Sequence, residues 1–269
     1  MGTELIRAGL IGGEASEAWL LSRPQAVQAV HAAYDAAGAE VLYTNSFGAN
    51  RLALARHGLA DRTAELNRLA VTLARAAARQ ARWIAGSMGP TGGLLEPYGD
   101  LAEDEARAAF AEQAAALVAA GADLLVIESH ADVNEAALAV RAARAAGPVA
   151  VIATMTFEGE ARAFRTLMGV TPEVAVRTLL DAGADVVGAN CGNGPDVALE
   201  VIRRMRAVAP GVPLAAKPNA GTGEPAQPDA FARAQLAVHG SGATVLGGCC
   251  GTRPEHVARL AAVLSARPG

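Results

Sequence analysis

AGADLLVIESH, residues 120–130, sets the pattern by which the rest of the chain can be read. A glycine turn at Gly121 precedes an unbroken apolar run from Leu124 to Ile127, which ends in the polar residues Glu128, Ser129 and His130. A run so short and so uniformly apolar marks a strand covered on both faces, as strands of parallel sheets are. The phrase recurs as AGAEVLYTNS at 37–46 and AGADVVGANCG at 182–192. Working outward, seven such strands are expected: 40–44, 83–86, 124–128, 149–154, 186–189, 214–217 and 244–246. Alanine-rich amphipathic segments between them predict helices at 24–37, 62–81, 103–120, 133–146, 172–182, 196–208, 228–239 and 254–264. Several open with proline, as at Pro172 and Pro254, and several close with glycine, as at Gly121 and Gly183. Helix starts and stops prefer that asymmetry.

Strand then helix, repeated, implies right-handed crossovers and a parallel sheet. The expected class is α/β, a (β/α)8 TIM barrel whose first strand is missing or irregular. No clear strand precedes the helix at Pro24, and residues 5–10 are the one candidate. No linker or shift of composition divides the chain, so residues 1–269 are expected to form a single domain.

The chain of 269 residues is 52% hydrophobic but only 4% aromatic, so alanine, valine and leucine must build the core. Its net charge is −4 and no basic block stands out, which argues against a nucleic-acid partner. No apolar run reaches about 18 residues, so no membrane span is expected. The opening MGTELIRAGLIGGEASEAW lacks the basic and long apolar parts of a secretory signal, and a cytoplasmic protein is expected.

Polar residues gather just after the strands, where barrels of this class place their chemistry. These loops hold all three cysteines: Cys191 after the strand at 186–189, and the pair Cys249 and Cys250 after the strand at 244–246. One strand separates the two, so their ends face a common mouth. An odd count with an adjacent pair is a poor disulfide framework. Three readings remain: metal ligands, a nucleophile with Lys217 or His130 as its base, or buried inert thiols. Three protein sulfurs with one exchangeable position would suit a catalytic zinc. The other histidines, His31, His57, His239 and His256, fall on helices or loops away from the mouth.

GANCG at 188–192 together with GGCCGT at 247–252 resembles the homocysteine S-methyltransferase family, which includes the homocysteine-binding module of cobalamin-dependent methionine synthase. TNSFGANR at 44–51, GPTG at 89–92, TMTF at 154–157, RTLMG at 165–169 and KPNAG at 217–221 are similar to the methionine-synthase branch in particular. The resemblance implies a (β/α)8 barrel with Cys191, Cys249 and Cys250 holding Zn2+. It implies homocysteine as substrate, its sulfur taking the fourth zinc position to form methionine. Asn219 is the candidate oxygen ligand when substrate is absent. Glu128 matches the family's amine-binding glutamate and is expected to receive the substrate ammonium. The substrate carboxylate is expected in a nest of backbone N–H groups and hydroxyls around Thr44 and Ser87. The methyl donor is expected to be a methyl-corrinoid protein or a small sulfonium. A homo-oligomer and a non-catalytic zinc- and homocysteine-binding subunit of a larger methyltransferase are carried as alternatives.

One departure stands out. Family members begin with a strand ending in an aspartate-containing turn that helps hold the substrate ammonium; here Met1-Gly2-Thr3 is similar only to the tail of that turn. Either the natural start lies upstream, or residues 5–13 or a partner subunit cover the gap.

Overall fold

Apolar run and alanine-rich segment fold as alternating strand and helix throughout the computed structural model, which describes residues 1–159, 163–221 and 224–266. The elements in order are α1 (Gly2–Arg7), a 3-10 turn (Ser16–Ala18), α2 (Trp19–Ser22), α3 (Pro24–Ala36), β1 (Val41–Tyr43), α4 (Arg51–Ala55), a second 3-10 turn (Ala60–Arg62), α5 (Thr63–Ala77), β2 (Trp83–Met88) and α6 (Glu103–Ala119). They continue with β3 (Leu124–His130), α7 (Val133–Ala146), β4 (Ala150–Met155), α8 (Pro172–Asp181), β5 (Val186–Cys191), α9 (Pro195–Val208), β6 (Leu214–Pro218), α10 (Pro228–Gly240), β7 (Ala243–Leu246) and α11 (Pro254–Ser265). Prolines open α3, α8, α9, α10 and α11, where the missing N–H costs nothing. Among the described residues no helix is long and apolar enough to cross a membrane.

All seven expected strands form, and they pair in parallel in the order β1 to β7. The closed (β/α)8 barrel does not form: the sheet is barrel-like but open, with no ladder between β1 and β7 among the described residues. The reason lies in the first residues. Leu5 N bonds to Met1 O at 3.1 Å and Ala8 N to Glu4 O at 3.0 Å, so this stretch winds into α1. Its apolar residues Leu5 and Leu10 are buried with Trp19, Leu20, Val27 and Leu54, in a cluster apart from the sheet's main core. The outer layer spans the gap instead, where Tyr34 Oη of α3 donates to Thr252 O before α11 at 2.5 Å.

Two cores flank the sheet. Between sheet and helices, fully buried alanines such as Ala106 and Ala114 of α6 and Ala139 and Ala143 of α7 let the elements approach closely. Inside the curve, Ala85, Leu124, Val126, Ile152 and Ala215 pack with Val41, Tyr43, Val186 and Val245. Burial of each larger aliphatic side chain contributes roughly 1.5–3 kcal/mol. This apolar plug fixes the inward parity of the strands. With a period of two, the next inward positions toward the strand ends are Ser87, Glu128, Thr154, Asn190 and Lys217.

Candidate metal centre and acceptor pocket

Those five residues form a bonded polar layer on top of the plug. Ser87 Oγ donates to Glu128 Oε1 at 2.6 Å, and Lys217 Nζ donates to Glu128 Oε2 at 2.5 Å. Lys217 also lies over the Tyr43 ring, 4.2 Å from its centroid. Burial pulls the Lys217 ammonium toward losing its proton, but Glu128 outweighs this and holds it above the ordinary lysine value. Asn190, paired in register with Lys217, accepts from Thr154 Oγ1 at 2.7 Å and from Ser129 N at 2.9 Å. Its Nδ2 donates to Ser129 Oγ at 2.7 Å and lies 3.8 Å from Cys249 Sγ.

The cysteines sit one residue further out. Cys191 ends β5 with φ +61°, in the left-handed region, and Gly192 follows at φ +64°. A Cβ on Gly192 would stand 2.3 Å from Phe157 O, so only glycine lets the chain turn there. Cys249 and Cys250 lie in the turn after β7, held by Cys249 N to Pro218 O at 2.9 Å and Ala220 N to Cys250 O at 3.0 Å. Asn219 ties the two cysteine loops together: Oδ1 accepts from Cys250 N at 3.0 Å and Nδ2 donates to Gly192 O at 2.9 Å. Ser129 at φ +65° is the other non-glycine residue with positive φ among the described residues, and Asn190 grips it. Strained backbone is thus gathered at this mouth, as it often is at functional sites.

The three sulfurs lie within 4.8 Å of one another, with Cys191 and Cys250 Sγ 4.0 Å apart. Each cysteine is a free thiol and partly exposed. Hydrogen bonds from Cys249 and Cys250 push the Cys191 thiol well below its ordinary value, and the hydrogen bond shared with Cys191 in turn pushes Cys249 and Cys250 up. Zinc is held by thiolates, so binding a cation here would release the protons that the cluster carries. A tetrahedral Zn–S distance of about 2.3 Å sets sulfurs roughly 3.8 Å apart, so this all-sulfur set needs little contraction to hold zinc.

The other residues singled out in the sequence meet different fates. Ser87 is in the polar layer. Glu128 is there too, but the carboxylate expected to receive a substrate ammonium is bonded to Lys217 and Ser87. Thr44 is buried behind the layer, with its hydroxyl 2.6 Å from Ser46 Oγ while accepting from Ser87 N at 3.0 Å. Within the expected anion nest, the amides of Thr44, Gly48, Ser87 and Gly89 donate to Ala85 O, Glu17 Oε1, Thr44 Oγ1 and Phe47 O. His130 lies outside the mouth, fully buried beside Phe110 and 3.4 Å from Glu135 Oε2. Sequence reasoning placed Lys217 only as a base for a nucleophilic cysteine and gave Asn190 and Tyr43 no part. Strand parity was the signal that could have found them.

A family model described as homocysteine S-methyltransferase matches residues 1–264. Two curated relatives are the methionine synthases of Mycobacterium leprae (strain TN), 31% identical over 266 residues, and Mycobacterium tuberculosis (strain ATCC 25618 / H37Rv), 30% identical over 264. Both alignments take in 91% of this chain and 22% of the relative, so the chain spans about a fifth of their length. In fold it is similar to the homocysteine methyltransferase MmuM from Escherichia coli. The metallated form superposes with a TM-score of 0.82 at 24% identity, over 98% of this chain and 93% of that one. The apo form gives 0.75 at 23%, over 97% and 92%.

Proposed function

The chain belongs to the homocysteine S-methyltransferase family, and from that membership we propose that it transfers a methyl group to the thiol of homocysteine, giving methionine, with zinc held by Cys191, Cys249 and Cys250. The observation that carries this reading is the convergence of three sulfurs from two separate strand ends, within 4.8 Å, above a bonded polar floor. When bound, the zinc would keep the acceptor sulfur as a thiolate near neutral pH and, already surrounded by three negative sulfurs, leave it electron-rich.

The chain's own residues do the holding. Asn190 and Asn219 fix the cysteine loops, so the sulfurs stand in place before any ligand arrives. The Asn219 carboxamide oxygen is the candidate fourth donor in the absence of substrate. Ser87 and Glu128 form the floor on which the acceptor rests, with Thr44 bracing Ser87 from behind. The apolar plug beneath shuts water out from below. In the transfer the sulfur–methyl bond forms as the methyl–donor bond breaks, and the thiol proton passes to solvent. Likeness to methionine synthases favours a separate methyl-corrinoid protein as donor over a small sulfonium.

Two measurements test the reading. Purified protein is expected to carry one zinc per chain, lost in Cys191→Ala and Cys250→Ala; unchanged stoichiometry would defeat the metal site. Zinc-loaded protein is then mixed with homocysteine and, separately, methylcobalamin, S-methylmethionine, betaine or methyltetrahydrofolate. Methionine from methylcobalamin supports the proposal, whereas methionine from none supports the alternative of a zinc- and homocysteine-binding subunit.

A further inference from the structure

A glutamine stands where the packing calls for an apolar residue. The buried positions of α6 are Ala106, Ala109, Phe110, Gln113, Ala114 and Leu117, and Gln113 is the one polar side chain among them. It is fully buried between helix and sheet, and its Oε1 has no hydrogen-bond partner. An unsatisfied buried amide oxygen costs about 1–3 kcal/mol. Its Nε2 donates to Ser46 O at 2.7 Å and to Ser87 O at 3.4 Å, and lies 3.5 Å from Asn67 Oδ1, the outer limit of a hydrogen bond. The fold does not need these bonds. Ser46 O also accepts from Ala49 N at 3.0 Å, and Ser87 O from Ser46 Oγ at 2.7 Å. A methionine at 113 would strand neither carbonyl and would remove the unpaired oxygen.

What the glutamine adds is a clamp. Ala85 O accepts from Thr44 N, and the next carbonyl on that side, Ser87 O, lies past the last paired residue of β1. Side chains take over there. Ser46 uses its proton on Ser87 O, so Thr44 must donate to Ser46 at 2.6 Å, and Ser87 N closes the ring on Thr44 Oγ1 at 3.0 Å. Gln113 bridges the carbonyls of Ser46 and Ser87 with one amino group, from behind the sheet. The ring leaves the Ser87 hydroxyl free to donate to Glu128 Oε1 at 2.6 Å. Glu128 also accepts from Lys217, and each of its oxygens keeps a lone pair for an incoming ammonium.

We propose that Gln113 is a positioning residue of the acceptor pocket: from α6 it clamps Ser46 to Ser87, and through the Ser87 hydroxyl it fixes the rotation of the Glu128 carboxylate that receives the amino group of the acceptor thiol. This rests on the reading of the cysteine mouth as a homocysteine site, and deepens it by naming what aims its amine-binding end. A glutamine kept at a cost to the core, with both its carbonyl partners otherwise satisfied, is accounted for by the geometry of the site and not by folding.

Calorimetric titration of zinc-loaded protein, with no methyl donor present, tests it with homocysteine and 4-mercaptobutanoate, the same skeleton without the amine. Gln113→Met is expected to fold, keep its zinc and melt at or above the wild-type temperature. It is expected to bind homocysteine about tenfold more weakly, the worth of one hydrogen bond, while 4-mercaptobutanoate changes less than about twofold. In a Ser87→Ala background, where the link to Glu128 is already cut, Gln113→Met is expected to add less than about twofold to the loss. A merely structural glutamine would instead lower the melting temperature or prevent folding, and would affect both thiols alike; any of these results overturns the inference. So does homocysteine binding within about twofold of wild type in Gln113→Met, or full additivity in the double variant. Wild-type protein that binds the two thiols equally removes ammonium recognition, and wild-type protein that binds neither removes the acceptor site. In both cases the underlying reading falls first and this inference with it.

Discussion

Cys191 holds a left-handed backbone conformation that costs a side-chain-bearing residue about 1–2 kcal/mol. Glycine escapes that cost. Cys191→Gly should therefore abolish zinc binding, yet leave the metal-free protein about 1 kcal/mol more stable than Cys191→Ala in urea unfolding. Asn190 shows the converse economy: one buried carboxamide satisfies Thr154, the Ser129 backbone and the Ser129 hydroxyl while touching Cys249. Asn190→Ala should lower stability by about 2–3 kcal/mol and weaken zinc about 10- to 100-fold in a chelator competition. The cysteines could be read from sequence because each follows an apolar run by a fixed small step. Their convergence needed only the order of the strands. The Glu128–Lys217 pair could not be read that way. Parity says that both face inward, but the two lie in strands β3 and β6, and which partner each finds depends on the curvature of the whole sheet.

At the scale of elements, Glu135 in the first turn of α7 anchors the loop after β2. It accepts from Thr91 N at 2.8 Å and Thr91 Oγ1 at 2.6 Å, and faces His130 at 3.4 Å. Burial raises the Glu135 carboxyl, but the bonds from His130 and Thr91 prevail and hold it below its ordinary value of 4.5. A depressed folded pKa contributes stability that is present above the unfolded value and is lost as pH falls through the folded one. Glu135→Ala should accordingly cost about 2–3 kcal/mol at neutral pH. Wild type and variant should converge only below pH 4.5, as followed by unfolding at a series of pH values. Sequence periodicity carries the helix of 62–81 too far, since α5 ends at Ala77. Nothing local stops it, because the residues beyond are themselves helix formers. The stop comes from Asp35 on α3, whose carboxylate takes the amides of Gln80 and Ala81 and turns the chain toward β2. A capping partner that distant in the chain leaves no trace in a local window.

For the molecule as a whole, the open seam decides where the sheet is weakest. Among the described residues β1 and β7 each have one ladder instead of two, so hydrogen exchange should be fastest in those strands and slowest in β3 to β5. Tyr34→Phe removes the hydroxyl that spans the seam to Thr252 O. It should lower Tm by a few degrees, the shift expected for about 1 kcal/mol in a chain of this size, and speed exchange at both edges further. Seven of the barrel's strands were plain in the sequence; the opening residues were ambiguous because a run as short as 5–10 suits helix and strand alike. The plug inside the sheet carries a different implication, one of traffic. Val126, Ile152 and their neighbours seal the lower end, so on the proposed function acceptor and donor would share the cysteine mouth as their doorway. On the proposed function the acceptor would rest deeper and enter first, and a donor that arrived early would bar the way. Steady-state kinetics should therefore show a compulsory order, with inhibition by excess donor and none by excess thiol.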